Sequence, residues 1–312
     1  MADGSRDHAT ILNILISEPT RIVLDCDTAN EIDDQFAIAH ALGQPDGKLD
    51  VRAVISVHNT TAHGPKSRDL YQKEAKRVVP LCNSSVPCIP GAKSPMLTPG
   101  DPVPSDGLDF LVEEARKGPL TIVATGPATD VASLMLVAPE VLENVNVVWL
   151  GGFGDEESYG RYDFRMGELN GRADIAAWRA LFDVDLSLLL VPGWPAAAKL
   201  LVEAPAFAAE LRGLGRGVSD YLAEILEQWT VERGGEVSRQ QKIIWDIACT
   251  AAVIDPDALR TEEFAVPILD AAGAHDFSRR GRTVEVVRDL DEQRILSDLM
   301  NALTRHPERE VS

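Results

Sequence analysis

The chain has 312 residues, of which 45% are hydrophobic and 25% are charged, and its net charge is −19. Such a composition predicts a globular protein with a large core. A surface this acidic argues against nucleic acid or an anionic membrane as a partner. The local basic cluster, Arg279, Arg280 and Arg282, is interpreted as a solvated loop, because a nucleic-acid footprint needs a larger patch.

The first residues, MADGSRDHATILNILIS, have no basic n-region and no long apolar core, so they do not predict a secretory signal. No apolar stretch approaches the roughly 20 residues that span a bilayer. The cysteines show neither a disulfide framework nor zinc-ligand spacing, so we expect free thiols in a reducing cytoplasm at Cys26, Cys82, Cys88 and Cys249.

Short apolar runs alternate with helical patterns from the first strand onward. The predicted strands are RIVLD, VRAVIS, VPCIPG, LTIVATG, VNVVWLGG and LSLLLVP. The predicted helices are IDDQFAIAHALG ended by Gly43, 66–79, 109–117, PATDVASLMLV from Pro127, and 174–182. Buried strands separated by helices predict an α/β fold, an open, mostly parallel β-sheet flanked by helices.

After Pro195 the pattern becomes helical, apart from weak strands near FAVPIL and RTVEVV. Neither an internal repeat nor a composition break divides the chain. We therefore predict one domain over residues 1–312.

Polar residues follow several predicted strands at the same end. Asp25 and Asp27 end the first strand, His58 and Asn59 follow the second, and Thr125 follows LTIVA. Ligands of open α/β sheets bind beyond the carboxyl ends of the strands. The sequence therefore predicts a site at this edge.

The loop after the first strand crowds four aspartates, a glutamate and an asparagine into ten residues. Asp33 and Asp34 alone would be ordinary carboxylates of a first helical turn. That interpretation leaves Asp25 and Asp27 unexplained, and desolvated carboxylates are costly unless a cation compensates. An EF-hand calcium loop does not fit, because its fifth position would be Ala29.

One alternative is a phosphatase of the haloacid dehalogenase type. IVLDCDT resembles the strand and Asp-x-Asp-x-Thr motif of that superfamily, which implies Asp25 as the nucleophile, Asp27 as the general acid and a magnesium ion. That scheme gives no role to Asp33 and Asp34.

LDCDTANEIDDQFAIAHAL resembles the nucleoside hydrolase family, whose signature is Asp-x-Asp, a short loop, and Asp-Asp opening a helix. TIVATGPATDVASLM, VVWLGGF followed by GELN, IIWDIACTAAV and VPCIPGAKSPML resemble further segments of the family in the same order. The resemblance implies hydrolysis of an N-ribosidic bond.

The resemblance also implies a calcium site. Asp27, Asp34 and Asp246 would bind Ca²⁺ through their side chains, and Thr125 through its backbone carbonyl. Hard oxygen ligands suit this ion. Asp27, beside the metal-activated water, is the expected general base. Asp25 is expected to lie behind the ligands, where it would bond the loop and orient them.

The expected ribose contacts are Asp33, Glu168 and Asn170, with Asn59 as a further candidate. Contacts of this kind matter when they strengthen as oxocarbenium charge develops. Trp245 stands where broad-specificity members carry a histidine, so it resembles the purine-specific branch and would stack on the base. Trp245 as a core aromatic residue remains open, as does His58 as a general acid or a scaffold residue.

Two departures from the family bear on the substrate. Five residues, TANEI, separate Asp27 from the Asp-Asp pair where the family motif has three, so Asn30 and Glu31 are additional polar groups that narrow the substrate or rebuild the loop. Before Glu168, the family's asparagine for the ribose 5′-hydroxyl is replaced in a stretch containing Tyr162, Asp163 and Arg165. Arg165 would suit a 5′-phosphate, and hence a nucleotide.

The sequence thus predicts a calcium-dependent N-ribohydrolase acting on a purine or related nucleoside. Its alternatives are the phosphatase and a non-catalytic ribose- or nucleoside-binding protein that keeps calcium. By resemblance we expect a homodimer or homotetramer that acts in nucleoside salvage in the cytoplasm.

Overall fold

The computed structural model describes residues 19–161, 168–233 and 240–308. The strands are β1 Thr20–Cys26, β2 Leu49–Ser56, β3 Cys88–Pro90, β4 Leu120–Ala124, β5 Val145–Leu150, β6 Ser187–Val191, β7 Leu201–Glu203, β8 Gln241–Ile243, β9 Leu259–Leu269 and β10 His275–Leu290.

The α-helices of the described residues are α1 Asp33–Leu42, α2 Thr60–His63, α3 Ser67–Leu81, α4 Asp106–Arg116, α5 Thr129–Val137, α6 Glu156–Arg161, α7 Asn170–Ala173, α8 Ile175–Asp183, α9 Ala204–Gly213, α10 Gly217–Arg233, α11 Ile247–Ile254 and α12 Glu292–Thr304. Short 3₁₀ turns cover Gly64–Lys66, Pro139–Asn144, Ala197–Lys199 and Pro256–Ala258.

Eight of these strands form one sheet in the order β3-β2-β1-β4-β5-β6-β10-β9. Pairing is parallel from β3 to β10, and only the edge strand β9 runs antiparallel to its neighbour. The predicted α/β fold is therefore confirmed. Chain order reverses between β1 and β4, which opens a crevice at their carboxyl ends.

Alternation along β1 divides the core into two layers. Ile22 and Leu24 pack with α1, α3, α11 and α12 on one face of the sheet, whereas Val23 packs with α4, α5 and α8 on the other. A strand covered on both faces must be apolar at successive positions. This burial fixes the position of β1, and with it the residues that follow its carboxyl end.

Helix α1 is buried over almost its whole length and contacts α11 and α12. Gly43 follows its last turn, where a Cβ atom would lie 2.5 Å from the carbonyl oxygen of Ala302. Only glycine permits this approach of α12 without displacement. Packing therefore holds the first turn of α1, with its two aspartates, rigidly against the sheet.

Three smaller predictions have outcomes here. No described helix is both long enough and apolar enough to span a bilayer. All four cysteines are free, as predicted. The interpretation of Arg279, Arg280 and Arg282 as a solvated loop is wrong, because all three lie in β10, and Arg282 donates to the carbonyls of Leu186 (2.6 Å) and Leu181 (3.1 Å).

Candidate active site

A pocket of about 190 Å³ opens beyond the carboxyl ends of β1 and β4. The loop after β1, the end of β4, the start of α7 and the segment before α11 supply its walls. Its lining includes most of the residues predicted from sequence, namely Asp27, Asn30, Asp33, Thr125, Glu168, Asn170, Trp245 and Asp246. The fold therefore brings residues from the whole length of the chain to the edge where a site was expected.

Asp27 is 3% exposed and is held by two amides. Its Oδ2 accepts hydrogen bonds from Nδ2 of Asn30 (2.9 Å) and Nδ2 of Asn59 (2.7 Å). The loop turns tightly here, because the Asn30 amide donates to the Asp27 carbonyl (2.8 Å) and Ala29 takes a φ of 82°. Burial, followed by repulsion from Asp34, raises the pKa of the Asp27 carboxyl well above its usual value.

Gly126 lets the end of β4 approach Asp27. A Cβ atom at Gly126 would lie 2.6 Å from Cγ1 of Val57 and 3.1 Å from the amide nitrogen of Asp27. A larger residue would therefore push the two strand ends apart. The Thr125-Gly126 pair after β4 is therefore needed for packing as well as for chemistry.

Asp34 and Asp246 are buried beside Asp27. The hydroxyl of Thr125 donates to Oδ1 of Asp34 at 2.7 Å. Burial raises the pKa of Asp34 to about 6 and, with repulsion from Asp33, raises the pKa of Asp246 well above its usual value. Carboxyls this close and this dry cannot all be ionised without a compensating cation.

Asp33 faces an ammonium group. Nζ of Lys242 lies 3.8 Å from Oδ1 of Asp33 and contacts Oε2 of Glu31. Burial raises the pKa of Asp33 to about 7, although Lys242 acts to lower it. The site therefore includes a resident positive charge that the motif comparison did not reveal.

Glu168 and Asn170 keep acceptor atoms available. Each carboxylate oxygen of Glu168 accepts one backbone amide, from Gly152 and from Arg172, both at 3.1 Å. Nδ2 of Asn170 donates to the carbonyls of Thr125 and Leu150, both at 2.8 Å. Carboxylate and amide oxygens have further lone pairs, so both side chains can still accept a hydroxyl proton.

Two indoles form one wall of the pocket. Trp245 is partly buried and packs edge-on against Trp194, with ring centroids 5.5 Å apart and planes at 68°. A Cβ atom at Gly193 would lie 3.6 Å from the Trp245 ring, an ordinary contact distance, so Gly193 lies directly beside that ring. Trp245 thus lies at the pocket surface as well as against the core.

Asp25 lies beneath the pocket and is fully buried. Among the described residues, neither of its carboxylate oxygens has a hydrogen-bond partner, so the expected bond to the loop is not formed. Burial and the nearby Asp130 raise the pKa of Asp25 well above its usual value.

His58 and Asn59 support the site from behind its wall. Nδ1 of His58 accepts the Thr60 amide (3.4 Å), and its Nε2 contacts the Thr129 hydroxyl (2.9 Å). Burial lowers the pKa of His58 to about 4, so the ring is neutral near pH 7. This geometry favours the scaffold interpretation of His58, and the amide of Asn59 is occupied with Asp27.

The donor set suits a hard divalent cation. Three carboxylates and a carbonyl are oxygen ligands, and the Thr125 carbonyl retains a lone pair beside the one that accepts Asn170. Across residues 19–161, 168–233 and 240–308, however, no three His, Cys, Asp or Glu side chains stand in a ligating arrangement. The residues fit the chemistry of the ion, and their carboxylates would have to turn toward it.

Some residues that line the pocket were not predicted as site residues, namely Leu150, Leu169, Gly193 and Trp194. Glu31 also lines the pocket, and the sequence indicated it only as an additional polar group. Lys242 was missed altogether, because a lysine that follows two glutamines and precedes IIW carries no signal of burial. Tyr162, Asp163 and Arg165 lie outside the described residues. The chemical roles assigned to the predicted residues stay predictions.

The profile of the family described as "Inosine-uridine preferring nucleoside hydrolase" matches residues 22–297. The pyrimidine-specific ribonucleoside hydrolase RihA of Salmonella arizonae is 27% identical over 232 residues, which are 66% of this chain and 70% of that protein. The non-specific ribonucleoside hydrolase RihC of Salmonella paratyphi B is 29% identical over 196 residues. That match spans 54% of this chain and 59% of RihC, less than two thirds of its length.

Among solved structures, a purine-preferring ribonucleoside hydrolase from Gardnerella vaginalis superimposes with a TM-score of 0.72 at 19% identity. The match covers 91% of this chain and 98% of that one, and it shows a shared fold. The three relatives are named for three different base preferences, so their names do not decide the base for this chain.

Proposed function

This chain belongs to the inosine-uridine preferring nucleoside hydrolase family, and on that premise we propose that it hydrolyses the N-ribosidic bond of a ribonucleoside with a purine or related base. One observation carries the proposal: the fold gathers Asp27, Asp33, Asn170 and Asp246 in one pocket beside Trp245. These are the side chains that binding ribose and activating water require.

Members of the family use a metal ion. We propose that here it is Ca²⁺, bound by Asp27, Asp34 and Asp246 and by the Thr125 carbonyl, since all four donors are hard oxygens. When bound, the ion would lower the pKa of a ligated water and make hydroxide available near neutral pH.

Asp27 would accept the proton of the attacking water. Its Oδ2 accepts from Asn30 and Asn59, so the carboxylate is fixed beside the other proposed metal ligands. A general base that is held by two amides changes its position and orientation little when substrate binds. The proton of water would pass to the Asp27 carboxylate as the water oxygen bonds to the anomeric carbon, while the bond from that carbon to the base nitrogen breaks and its electron pair leaves with the base.

Asp33, Glu168 and Asn170 would hold the ribose. Each presents an acceptor oxygen, and acceptors around the sugar stabilise the positive charge that develops as the bond to the base breaks. Glu168 and Asn170 are anchored by backbone groups, so their oxygens are preorganised. The described pocket residues are richer in carboxylates than in cations, which favours a neutral nucleoside over its 5′-phosphate.

Trp245 would stack on the base. Its ring is partly buried at the pocket wall, and Trp194 supports it edge-on. Stacking contributes roughly 0.5–1.5 kcal/mol beyond buried area, so it orients the base and selects it but cannot supply all the activation. Membership of the hydrolase family leaves the phosphatase alternative without support.

The test is a substrate panel. Purine and pyrimidine nucleosides, their 2′-deoxy forms and their 5′-phosphates would be incubated with the protein in Ca²⁺, in Mg²⁺ and in a chelator, and free base and ribose measured. We expect ribose from purine nucleosides in Ca²⁺ and none in chelator. Binding by calorimetry without turnover would replace the hydrolase by a nucleoside-binding protein, and phosphate release would restore the phosphatase.

A further inference from the structure

A buried ammonium group lies beside two carboxylates that line the pocket, and the family motif does not account for it. The side chain of Lys242 is 2% exposed, and its Nζ contacts Oε2 of Glu31 and lies 3.8 Å from Oδ1 of Asp33. The face of the Trp229 ring lies 5.5 Å away, within the range of a cation–π contact. A charged amine is buried at great cost unless it is paired in this way.

Glu31 belongs to the loop that is longer than the family motif. Its neighbour Asn30 donates to Asp27, and Glu31 itself contacts Lys242 beside Asp33. The longer loop therefore supplies a partner to Asp27, through Asn30, and a partner to the lysine that faces Asp33, through Glu31. The additional residues in the loop sequence thus account for additional contacts in the site.

A rigid element presents the ammonium group. Lys242 is the central residue of β8 and is paired with Val202 of β7, outside the main sheet. The chain is fixed again just beyond β8, where the Ile244 amide donates to the Leu200 carbonyl at 2.9 Å. The backbone on which Lys242 stands thus does not depend on the loop whose glutamate it contacts.

We propose that Lys242, held by Glu31, is a positioning residue that orients the Asp33 carboxylate for the ribose and offsets part of the negative charge around it. The ammonium lies between the carboxylate of Glu31 in the loop and the carboxylate of Asp33 in helix α1, so it ties these two walls of the site together. This inference rests on the proposed function for its kinetic consequence, but the geometry it describes does not.

The first experiment is a double-mutant cycle in the full chain, at saturating Ca²⁺. Lys242→Met should lower kcat/KM for the preferred nucleoside by roughly 10²-fold, the scale expected for about 1 Å of misplacement. In an Asp33→Asn background the same change should have little further effect, because its target is gone. An equal loss in both backgrounds would mean that Lys242 only supports the fold, and would overturn the proposal.

Two further variants sharpen the result. Adding Glu31→Gln to Lys242→Met should recover part of the lost activity, because removing both charges costs less than leaving one carboxylate unpaired. Lys117→Met removes another carboxylate-paired lysine at the opposite edge of the sheet and should leave kcat/KM unchanged. Calorimetry should show Ca²⁺ affinity retained in Lys242→Met, whereas a weaker affinity would assign the effect to the metal ligands and overturn the proposal.

Crystal structures of the wild type and Lys242→Met keep the inference testable without turnover. We expect the Asp33 carboxylate and the Glu31 side chain to move in the variant. An unmoved Asp33 would overturn the positioning role. If the wild type releases no ribose from any nucleoside, the proposed function fails, and this comparison of structures still decides the role of Lys242.

Discussion

The two ends of β1 carry opposite kinds of charge cluster. At the amino end, Glu114 accepts from Arg21 (2.6 Å) and Arg52 (3.0 Å) and also pairs with Lys117. Although burial acts to raise it, the hydrogen bonds from Lys117, Arg21 and Arg52 lower the pKa of Glu114 to about 2. This carboxylate is fully compensated by the protein.

At the carboxyl end the compensation is incomplete. Asp25 and Asp27 lie with Asp34 and Asp246 in a dry cluster, where burial raises the pKa of every member. The charge cluster at the amino end of β1 therefore stabilises the fold, whereas the cluster at its carboxyl end lowers the stability of the fold. An uncompensated carboxylate cluster at a strand end thus marks chemistry, whereas a compensated one marks structure.

Among the variants at the two ends of β1, Asp27→Asn should have the largest effect. We expect kcat to fall by about 10²–10⁴-fold, the usual contribution of a general base, while Tm stays level or rises because one repelling charge is removed. Ribose release and calorimetry on the same preparation measure both. A variant that keeps activity, or one that loses activity only because it unfolds, would remove Asp27 from the chemistry.

Glu114→Gln is the matched change at the amino end. It should lower the free energy of unfolding by about 1–3 kcal/mol, the scale of lost hydrogen bonds to charged groups, and leave kcat/KM unchanged. Urea unfolding gives the first quantity and the nucleoside assay the second. Reduced activity in a folded variant would show that the two ends of β1 are not separate in function.

The dependence of stability on pH should have opposite signs at the two ends. In metal-free protein the folded-state pKa is about 7 for Asp33 and about 6 for Asp34, above the ordinary 3.8. The folded state then holds more protons than the unfolded state, so the stability from these groups is full below about pH 4 and is lost as pH rises through 6 and 7. The folded-state pKa of Glu114 is lowered to about 2, so its contribution to stability is present above about pH 4.5 and is lost as pH falls toward 2.

Calorimetry from about pH 2 to about pH 8, in chelator and in Ca²⁺, measures this difference. In chelator, Tm should fall as pH rises from about 5 to about 8, and Ca²⁺ should raise Tm most at the upper end, because the ion binds ionised carboxylates. A Tm that climbs steadily with pH in chelator would contradict the raised pKa values of Asp33 and Asp34.

Trp245→Leu should have the smallest effect. Stacking of roughly 0.5–1.5 kcal/mol corresponds to at most about a tenfold fall in kcat/KM for purine relative to pyrimidine nucleosides. A lower Tm with an unchanged ratio would return Trp245 to the core-aromatic interpretation.

Local sequence signals predicted the central part of the fold well. Strand β1 and the helix that ends before Gly43 followed from an apolar run and a helical pattern with its glycine stop. The segments near FAVPIL and RTVEVV gave weak signals because β9 and β10 lie at one side of the sheet with many exposed charges, yet they form its longest strands.

The missed part of the site depends on tertiary contacts. Lys242 stands in a three-residue strand whose partner lies far away in the chain, so no periodicity marks it. The orphaned Asp25 could not be foreseen either, because the sequence does not tell which oxygens find donors. Motif order identified the family, whereas the partners of each carboxylate required the folded chain.

The late position of Asp246 in the chain has a consequence for folding. It must join Asp27 from the opposite end of the sequence, and closing so long a loop is entropically slow and contributes to a high contact order. Backbone ellipticity should therefore recover ahead of ribose release when the denatured chain is refolded, which would make catalytic activity a late reporter of folding.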